Sequence, residues 1–437
     1  MINRDVLARL IADFHENPYP KDLIDREFSI SLEIPIRRAI ALIGPRRSGK
    51  TYAMFQLIKT LINRGVDVHR ILYVNFEYYE LTGASLSDAF RLIEEYYSIY
   101  PENRGRRIWL FLDEVQELED WDIFVRNMLD RENMYIYISG SSSKMLSREL
   151  SSRLRGRTLS YEIYPLSFRE YLRFRGIEVE KPISSRTRSR IMNAIAMYME
   201  YGGYPEVARY WRERIRILHE IMETTIVRDV VERYRFRNER IIRLMMKALA
   251  NSREFSVHRF HRLLKSMGMK VSKNTLYSYL QALNDVMIVY PLRRYSPSYK
   301  REEQTIPKIY FIDNGLLRIY GVDSRSKLFE NLVFTYLLRR RGFSNLRYYK
   351  SYGDREVDFV VLGDSGVDEL IQACYNVEDP ETRRREIKAL LKASTELGCR
   401  NLYIVTWDYE DVEEHNGRRI MYIPLWKLML KRVGAAV

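Results

Sequence analysis

Gly44-Pro45-Arg46-Arg47-Ser48-Gly49-Lys50-Thr51 fits the pattern GxxxxGK[ST]. Glycines at these positions let backbone N–H groups turn inward around phosphate oxygens, and a helix opening behind them adds its partial positive charge. Lys50 would reach the β- and γ-phosphates of a nucleotide, and Thr51 would set its hydroxyl on Mg²⁺. The stretch Gly44 to Tyr52 is thus the candidate contact for ATP or ADP. The plain alternative is a Gly-rich turn before a helix; the apolar strand before the motif and the helical pattern after it favour the phosphate loop.

Sixty residues on, Ile108-Trp109-Leu110-Phe111-Leu112 runs into Asp113-Glu114. Acids at the carboxyl end of a parallel strand sit where α/β sheets bind ligands. Asp113 would hold the Mg²⁺ shell, and Glu114 would polarise the attacking water. The competing reading is an acidic pair at a helix N-terminus. Ser139-Gly140-Ser141-Ser142-Ser143 closes the next strand and offers hydroxyls to a γ-phosphate or its water, or caps to a helix. Arg153, Arg155 and Arg157 lie close enough in sequence to supply a transition-state cation, in this chain or to a neighbouring subunit, or else form a salt-bridged basic face.

These residues need a scaffold. Ala39–Ile43, Ile71–Phe76, Ile108–Leu112 and Met134–Ile138 read as buried strands. Thr51–Arg64 reads as a helix with Met54, Leu57, Ile58 and Leu61 on one face and Gly65 stopping it; Leu86–Tyr100 is a second helical stretch. Apolar strands alternating with helices predict a parallel α/β sheet covered on both faces, the P-loop NTPase arrangement. From about 166 to 238 the pattern is helical, and 240–300 reads as three short helices and a hairpin. After Pro307, strands over Lys308–Ile312, Val357–Val361, Glu369–Tyr375 and Leu402–Thr406 mix with helices over Phe329–Arg341 and Thr382–Leu397.

The phosphate loop, Phe111-Leu112-Asp113-Glu114-Val115-Gln116, Ser139–Ser143, Leu154-Arg155-Gly156-Arg157, Pro165–Tyr171, Gly202-Gly203-Tyr204-Pro205-Glu206 and Arg355–Phe359 follow one another in a known order. With them the chain resembles the prokaryotic, largely archaeal AAA-type ATPases in which the ATPase module precedes a winged helix and a restriction-endonuclease-like domain. The first two motifs occur in many NTPases; Leu154–Tyr171 together with Gly202–Glu206 is far more specific. The resemblance implies ATP with Mg²⁺, a helical lid over the nucleotide and homo-oligomerisation. The expected modules are an ATPase domain over 1–163, a lid over 164–239, a winged helix over 240–306 and a nuclease-like domain over 307–437.

The 437-residue chain carries 72 Lys and Arg against 58 Asp and Glu, a formal charge of +14. Residues 241–310 hold thirteen of the cations and four of the acids, which is +9 of that total. A polyanionic partner is the expectation, with a solvated basic surface as the alternative. Within this stretch the helix Lys273–Asp285 buries Leu276, Leu280 and Leu283, so Lys273, Asn274, Tyr277, Ser278 and Gln281 point outward. Those side chains, with Arg293-Arg294 and Tyr299-Lys300-Arg301 in a basic wing, predict a winged helix contacting double-stranded DNA. Winged helices also serve as protein-interaction modules. His258 and His261 lack the neighbours that a metal site needs.

Glu330 on a helix, Asp358 on a strand and the strand Glu369–Tyr375 resemble the layout of Mg²⁺-dependent nucleases of the restriction type. There the following strand supplies Glu-x-Lys; here those positions are Gln372 and Cys374. Gln is a neutral ligand for a hard cation and Cys cannot replace an ammonium, so a degenerate nuclease site is expected. Cys374 and Cys399 are the only cysteines, which excludes a disulfide scaffold and fits a reducing, cytoplasmic setting. No apolar run is long enough to span a bilayer, and the N-terminal segment with Asp5 and Asp13 does not read as a secretory leader. Three functions follow: a Mg²⁺-dependent, DNA-associated ATPase that couples nucleotide state to lid and winged-helix movement; a nucleotide-gated scaffold for a protein partner; and an ATP-dependent nuclease.

Overall fold

A computed structural model describes residues 2–140, 153–180, 182–351, 353, 355–364 and 366–431. Two compact units divide the chain, Met1–Tyr164 and Pro165–Val437.

The first unit is a five-stranded parallel sheet in the order β2-β3-β4-β1-β5. Its elements are α1 (Arg4–Glu16), β1 (Ala39–Ile43), α2 (Lys50–Asn63), β2 (Ile71–Asn75), α3 (Leu86–Ile99), β3 (Ile108–Asp113), α4 (Trp121–Arg131), β4 (Met134–Gly140) and β5 (Thr158–Glu162). Alternate residues of each strand serve opposite faces, and both faces are covered. Ala39, Ala41 and Ile43 pack with α1, α3 and α4, whereas Ile40 and Leu42 pack with α2 and the extended segment of Ile30, Leu32 and Ile34. That double burial is why these strands read as unbroken apolar runs. β5 falls outside the expected set because Thr158–Glu162 is a half-exposed edge strand without an apolar run.

The second unit opens with helices α5 (Phe168–Phe174), α6 (Ser185–Tyr201), α7 (Pro205–Arg209) and α8 (Arg214–Thr224), the last continuing into a π-helical stretch over Thr225–Glu232. Gly202 and Gly203 are fixed by packing. A Cβ on Gly202, at φ 76°, would lie 1.7 Å from Asp313 Oδ1, and one on Gly203 would lie 2.5 Å from Leu166 O. Gly203 N donates to Asp313 Oδ2 at 2.6 Å and Leu166 N donates to Gly203 O at 2.7 Å. The Gly-Gly-Tyr-Pro-Glu segment is thus a close crossing of backbone over a buried acid.

Helices α9 (Glu239–Asn251), α10 (Val257–Ser266) and α11 (Lys273–Asp285) come next, followed by β6 (Val289–Leu292), α12 (Tyr299–Glu303) and β7 (Lys308–Phe311). β6 and β7 pair antiparallel, so the hairpin crosses the boundary expected at 306/307. Tyr299-Lys300-Arg301, expected in a wing, instead opens helix α12. There Glu302 is buried and receives Arg347 Nε at 2.6 Å, which pins the helix.

α13 (Asn314–Ile319) and α14 (Arg325–Arg341) lead to a six-stranded mixed sheet in the order β12-β13-β11-β10-β9-β8. Its strands are β8 (Leu346–Lys350), β9 (Glu356–Gly363), β10 (Gly366–Cys374), β11 (Leu402–Thr406), β12 (Asp411–His415) and β13 (Arg418–Pro424). α15 (Pro380–Leu397) lays Ala389, Leu390 and Ala393 on it, and α16 (Leu425–Met429) follows β13. The polar edge strand β12, Asp-Val-Glu-Glu-His, carries no apolar alternation that would announce it. No helix among the described residues is long and apolar enough to cross a membrane.

Candidate functional site

β1 delivers the chain to Gly44, and α2 begins at Lys50 with Gly49 before it at φ 98°. Arg47 also takes a positive φ, 58°. Gly44 has no room for a side chain, because a Cβ would lie 2.2 Å from Ile163 O. Lys50 is 5% exposed, and its Nζ donates to Gly44 O at 3.1 Å and Pro45 O at 3.0 Å. The ammonium is thereby held inside the loop. Arg26 braces the same turn from the N-terminal segment, donating to Ser48 O at 2.7 Å and to Tyr164 O at 2.9 Å. Tyr52 sits on the outer side of α2, 44% exposed, with its ring edge-on to Phe55.

Asp113 ends β3 and is fully buried. Hydroxyls surround its carboxylate. Tyr73 Oη donates to Oδ2 at 2.8 Å, Ser139 Oγ donates to Oδ1, and the Thr51 hydroxyl also hydrogen-bonds to it. Burial pushes the carboxyl pKa up against the pull of these hydroxyls, and the neighbouring Glu114 charge adds to the rise. No cation is among the partners described for this buried acid. Two hard oxygen donors, Thr51 and Asp113, therefore meet beside the phosphate loop, a pairing that fits Mg²⁺.

Glu114 follows at φ 48°, its backbone N–H donating to Ser139 Oγ at 3.2 Å and its Oε2 accepting from Gln116 Nε2 at 2.5 Å. Nearby Glu77 has a raised pKa, from burial and then from the Glu114 charge, partly offset by Arg46. Ser139 thus ties together Asp113 at the end of β3 and Glu114 just after it. Ser141, Ser142 and Ser143 lie outside the described residues.

The arginines behave differently. Arg153 pairs with Asp122 at 3.4 Å and Arg157 with Asp130 at 2.5 Å, both acids on α4. Arg155 is exposed on a turn at φ 51°. Arg153 and Arg157 thus lie against α4, whereas Arg155 faces outward.

On α11, Lys273, Asn274, Tyr277, Ser278 and Gln281 are all exposed, as their spacing predicts. Tyr277, Ser278 and Gln281 open onto a cavity of about 890 Å³ that is also lined by Arg293 and residues 303–307. Arg293 is spent inside the hairpin, donating to Thr305 O at 3.0 Å and facing Glu303 at 3.4 Å. Arg294 bridges by its backbone to Tyr348. The Arg293 guanidinium is therefore not displayed at the tip of a basic wing. His261 is bonded to Val271 O at 3.1 Å and His258 lies against Tyr277. No cluster suited to a metal ion occurs among the described residues.

In the C-terminal sheet, Glu330 comes from α14, Asp358 from β9, and Gln372 and Cys374 from β10. Gln372 is fully committed: Oε1 accepts from Asp358 N at 2.8 Å, and Nε2 donates to Glu356 O at 2.8 Å and to Glu386 Oε2 at 2.5 Å. Cys374 is buried, its thiol pushed up to about 12 by burial and then by the Glu386 and Asp358 charges.

Sequence reasoning missed Tyr73, Arg26, Arg253 and Lys308. Tyr73 is indistinguishable from a core tyrosine in the strand Ile71-Leu72-Tyr73-Val74. Lys308 did carry a signal, a lone cation opening the apolar run Ile309-Tyr310-Phe311.

Residues 36–172 match the model of an AAA domain, and residues 192–326 match that of a domain of unknown function, DUF8612. The uncharacterized protein MJ1544 of Methanocaldococcus jannaschii is 35% identical over 98% of this chain and 96% of its own length. An uncharacterized protein of Haemophilus influenzae is 28% identical over 88% of this chain and 93% of its own. Among solved structures, the Walker-type ATPase PABY2304 of Pyrococcus abyssi overlaps 74% of this chain and 96% of its own at 14% identity, with a TM-score of 0.45. The chain belongs to the family of MJ1544, and its first unit is an AAA-type P-loop ATPase domain.

Proposed function

We propose that the first unit hydrolyses ATP with Mg²⁺ at the loop Gly44–Thr51, using Lys50, Asp113 and Glu114. The meeting of Thr51, the residue after Lys50, with the buried carboxylate of Asp113 carries this reading. Mg²⁺, when bound, supplies charge neutralisation on the phosphates. Lys50 would exchange Gly44 O and Pro45 O for phosphate oxygens. Thr51 and Asp113 would hold the ion, Ser139 and Tyr73 would keep the Asp113 carboxylate in place, and Glu114 would orient the attacking water once Gln116 lets go. Positioning and charge are what phosphoryl transfer asks of a protein. Lys50→Ala and Glu114→Gln should each lower steady-state ATP turnover by about 10²-fold or more, the scale of losing a transition-state contact. Turnover equal to the parent's in either variant defeats the assignment.

We also propose that α11 meets double-stranded DNA, with residues 164–239 as a lid responsive to nucleotide and the helices and hairpin over residues 240–311 as the winged helix. Five exposed polar side chains on one helix face, in the stretch that holds +9 of the chain's charge, support this. Because Arg293 is used internally, the helix rather than a basic wing tip would carry the contact. Affinity for a DNA duplex should fall steeply with salt, and Lys273→Ala should make the log–log slope shallower by about one. A salt-independent interaction would favour the protein-scaffold reading. Homo-oligomerisation, with an arginine supplied in trans, remains a proposal drawn from the resemblance alone.

A further inference from the structure

Beside the C-terminal sheet, three carboxylates surround one buried ammonium. Lys308, at the start of β7, is 1% exposed. Its Nζ donates to Asp358 Oδ1 at 2.9 Å and Glu330 Oε1 at 3.1 Å, and lies 2.6 Å from Glu356 Oε1. Arg253 adds a guanidinium from outside, 2.8 Å from Glu356 and 3.3 Å from Asp358. Tyr310 Oη donates to Glu330 at 2.6 Å, and Ala373 N donates to Asp358 Oδ2 at 3.0 Å. We propose that Lys308 is the resident cation of this cluster, standing where a divalent metal would otherwise sit, so that the C-terminal sheet carries a lysine-closed, metal-free site.

Three observations support the assignment. An ammonium has three N–H donors, and three carboxylates surround it. Lys308 and Arg253 together bring the same +2 as one divalent ion. Gln372, at the position where the nuclease layout has a further acid, is a neutral amide whose Oε1 already accepts from Asp358 N while its Nε2 donates to Glu356 O and Glu386. The donors present therefore do not fit Mg²⁺. A metal could enter only if Nζ left, and β7 is held in register against β6. The departing ammonium would have to be buried unpaired or its strand released, and an unpaired buried charge is strongly unfavourable. Burial by itself would lower the lysine pKa, but Asp358, Glu330 and Glu356 outweigh it and keep the group charged.

The cluster thereby joins the hairpin, α14 and β9 without any ion, and it opens onto a cavity of about 770 Å³. This inference is independent of ATP hydrolysis. Its test is Mn²⁺ binding to the full chain without nucleotide, followed by electron paramagnetic resonance. The parent and Asp358→Asn should bind Mn²⁺ alike. Lys308→Met, which keeps the aliphatic stem, should gain one Mn²⁺ bound at least about tenfold more tightly than anything in the parent, with a Tm that rises with Mn²⁺ concentration. That gain should vanish in Lys308→Met/Asp358→Asn. A Mn²⁺ site in the parent that Asp358→Asn abolishes would overturn the proposal, and this comparison needs no Lys308 variant to fold. A folded Lys308→Met chain that gains no site would overturn it equally.

Discussion

Asp113 and Asp358 are both buried strand carboxylates, 0% and 7% exposed, and their surroundings differ in kind. Asp113 is met by hydroxyls from Tyr73, Ser139 and Thr51, which orient a charge without cancelling it. Asp358 is met by the ammonium of Lys308 and the guanidinium of Arg253. Burial acts on both and raises both pKa values. At Asp113 it wins, and the pKa stays above the ordinary carboxylate range; at Asp358 the two cations win, and it falls below. A carboxylate held by hydroxyls keeps its charge for the metal ion proposed at Asp113. One already neutralised by the chain is a structural joint.

The largest expected effect comes from removing the ammonium. Lys308→Ala leaves three carboxylates with Arg253 alone and should cost about 3–5 kcal/mol of stability at pH 7, the scale of breaking a buried ion pair. The sign of its pH dependence follows from linkage. In the parent the depressed pKa of Asp358 contributes stability above the ordinary carboxylate value, lost as pH falls through the folded value. In the variant the carboxylates crowd without the ammonium, and protonating them relieves the repulsion. The Tm gap between parent and variant should therefore narrow from pH 7 toward pH 4.5; a gap that widens would break the comparison.

A pair of matched substitutions comes next. Asp113→Asn removes a charge that destabilises the apo fold and should leave Tm unchanged or higher. Asp358→Asn weakens a satisfied pair and should lose about 1–3 kcal/mol. ATP turnover should report the reverse, collapsing in Asp113→Asn and holding within about twofold in Asp358→Asn, since only a transition-state contact carries a large rate effect. Equal Tm shifts in the two variants would mean that the environments are not opposed.

The smallest effect is the loss of one hydroxyl. Tyr73→Phe should cost about 0.5–1.5 kcal/mol. It also removes a donor that favours the ionised form of Asp113, so the acidic limb of the kcat/KM profile should move to higher pH. An unmoved limb with lower stability would reduce Tyr73 to packing.

Much of the first unit was legible because its chemistry is local. A phosphate loop needs glycines, a lysine and a hydroxyl at fixed offsets between a strand and a helix, so Gly44–Thr51 announces itself. Strands buried on both faces must be apolar throughout, and so β1 to β4 stood out. Edge strands obey neither rule, and β5 and β12 were silent. The face of α11 was readable from its leucine spacing, but the sequence had no means of showing that Arg293 would turn inward to Thr305 and Glu303.

Sequence alone determined that this chain has a phosphate-binding loop with an acid pair downstream, since those contacts are set within short stretches of backbone. Only the tertiary structure decided which buried acid would meet hydroxyls and which an ammonium. Lys308 lies 22 residues from Glu330 and 50 from Asp358 along the chain, and Tyr73 lies 40 from Asp113. Whether a carboxylate meets a hydroxyl or an ammonium depends on strands and helices brought together from afar. Electrostatic energy in a buried site is fixed by such through-space neighbours, which no local pattern records.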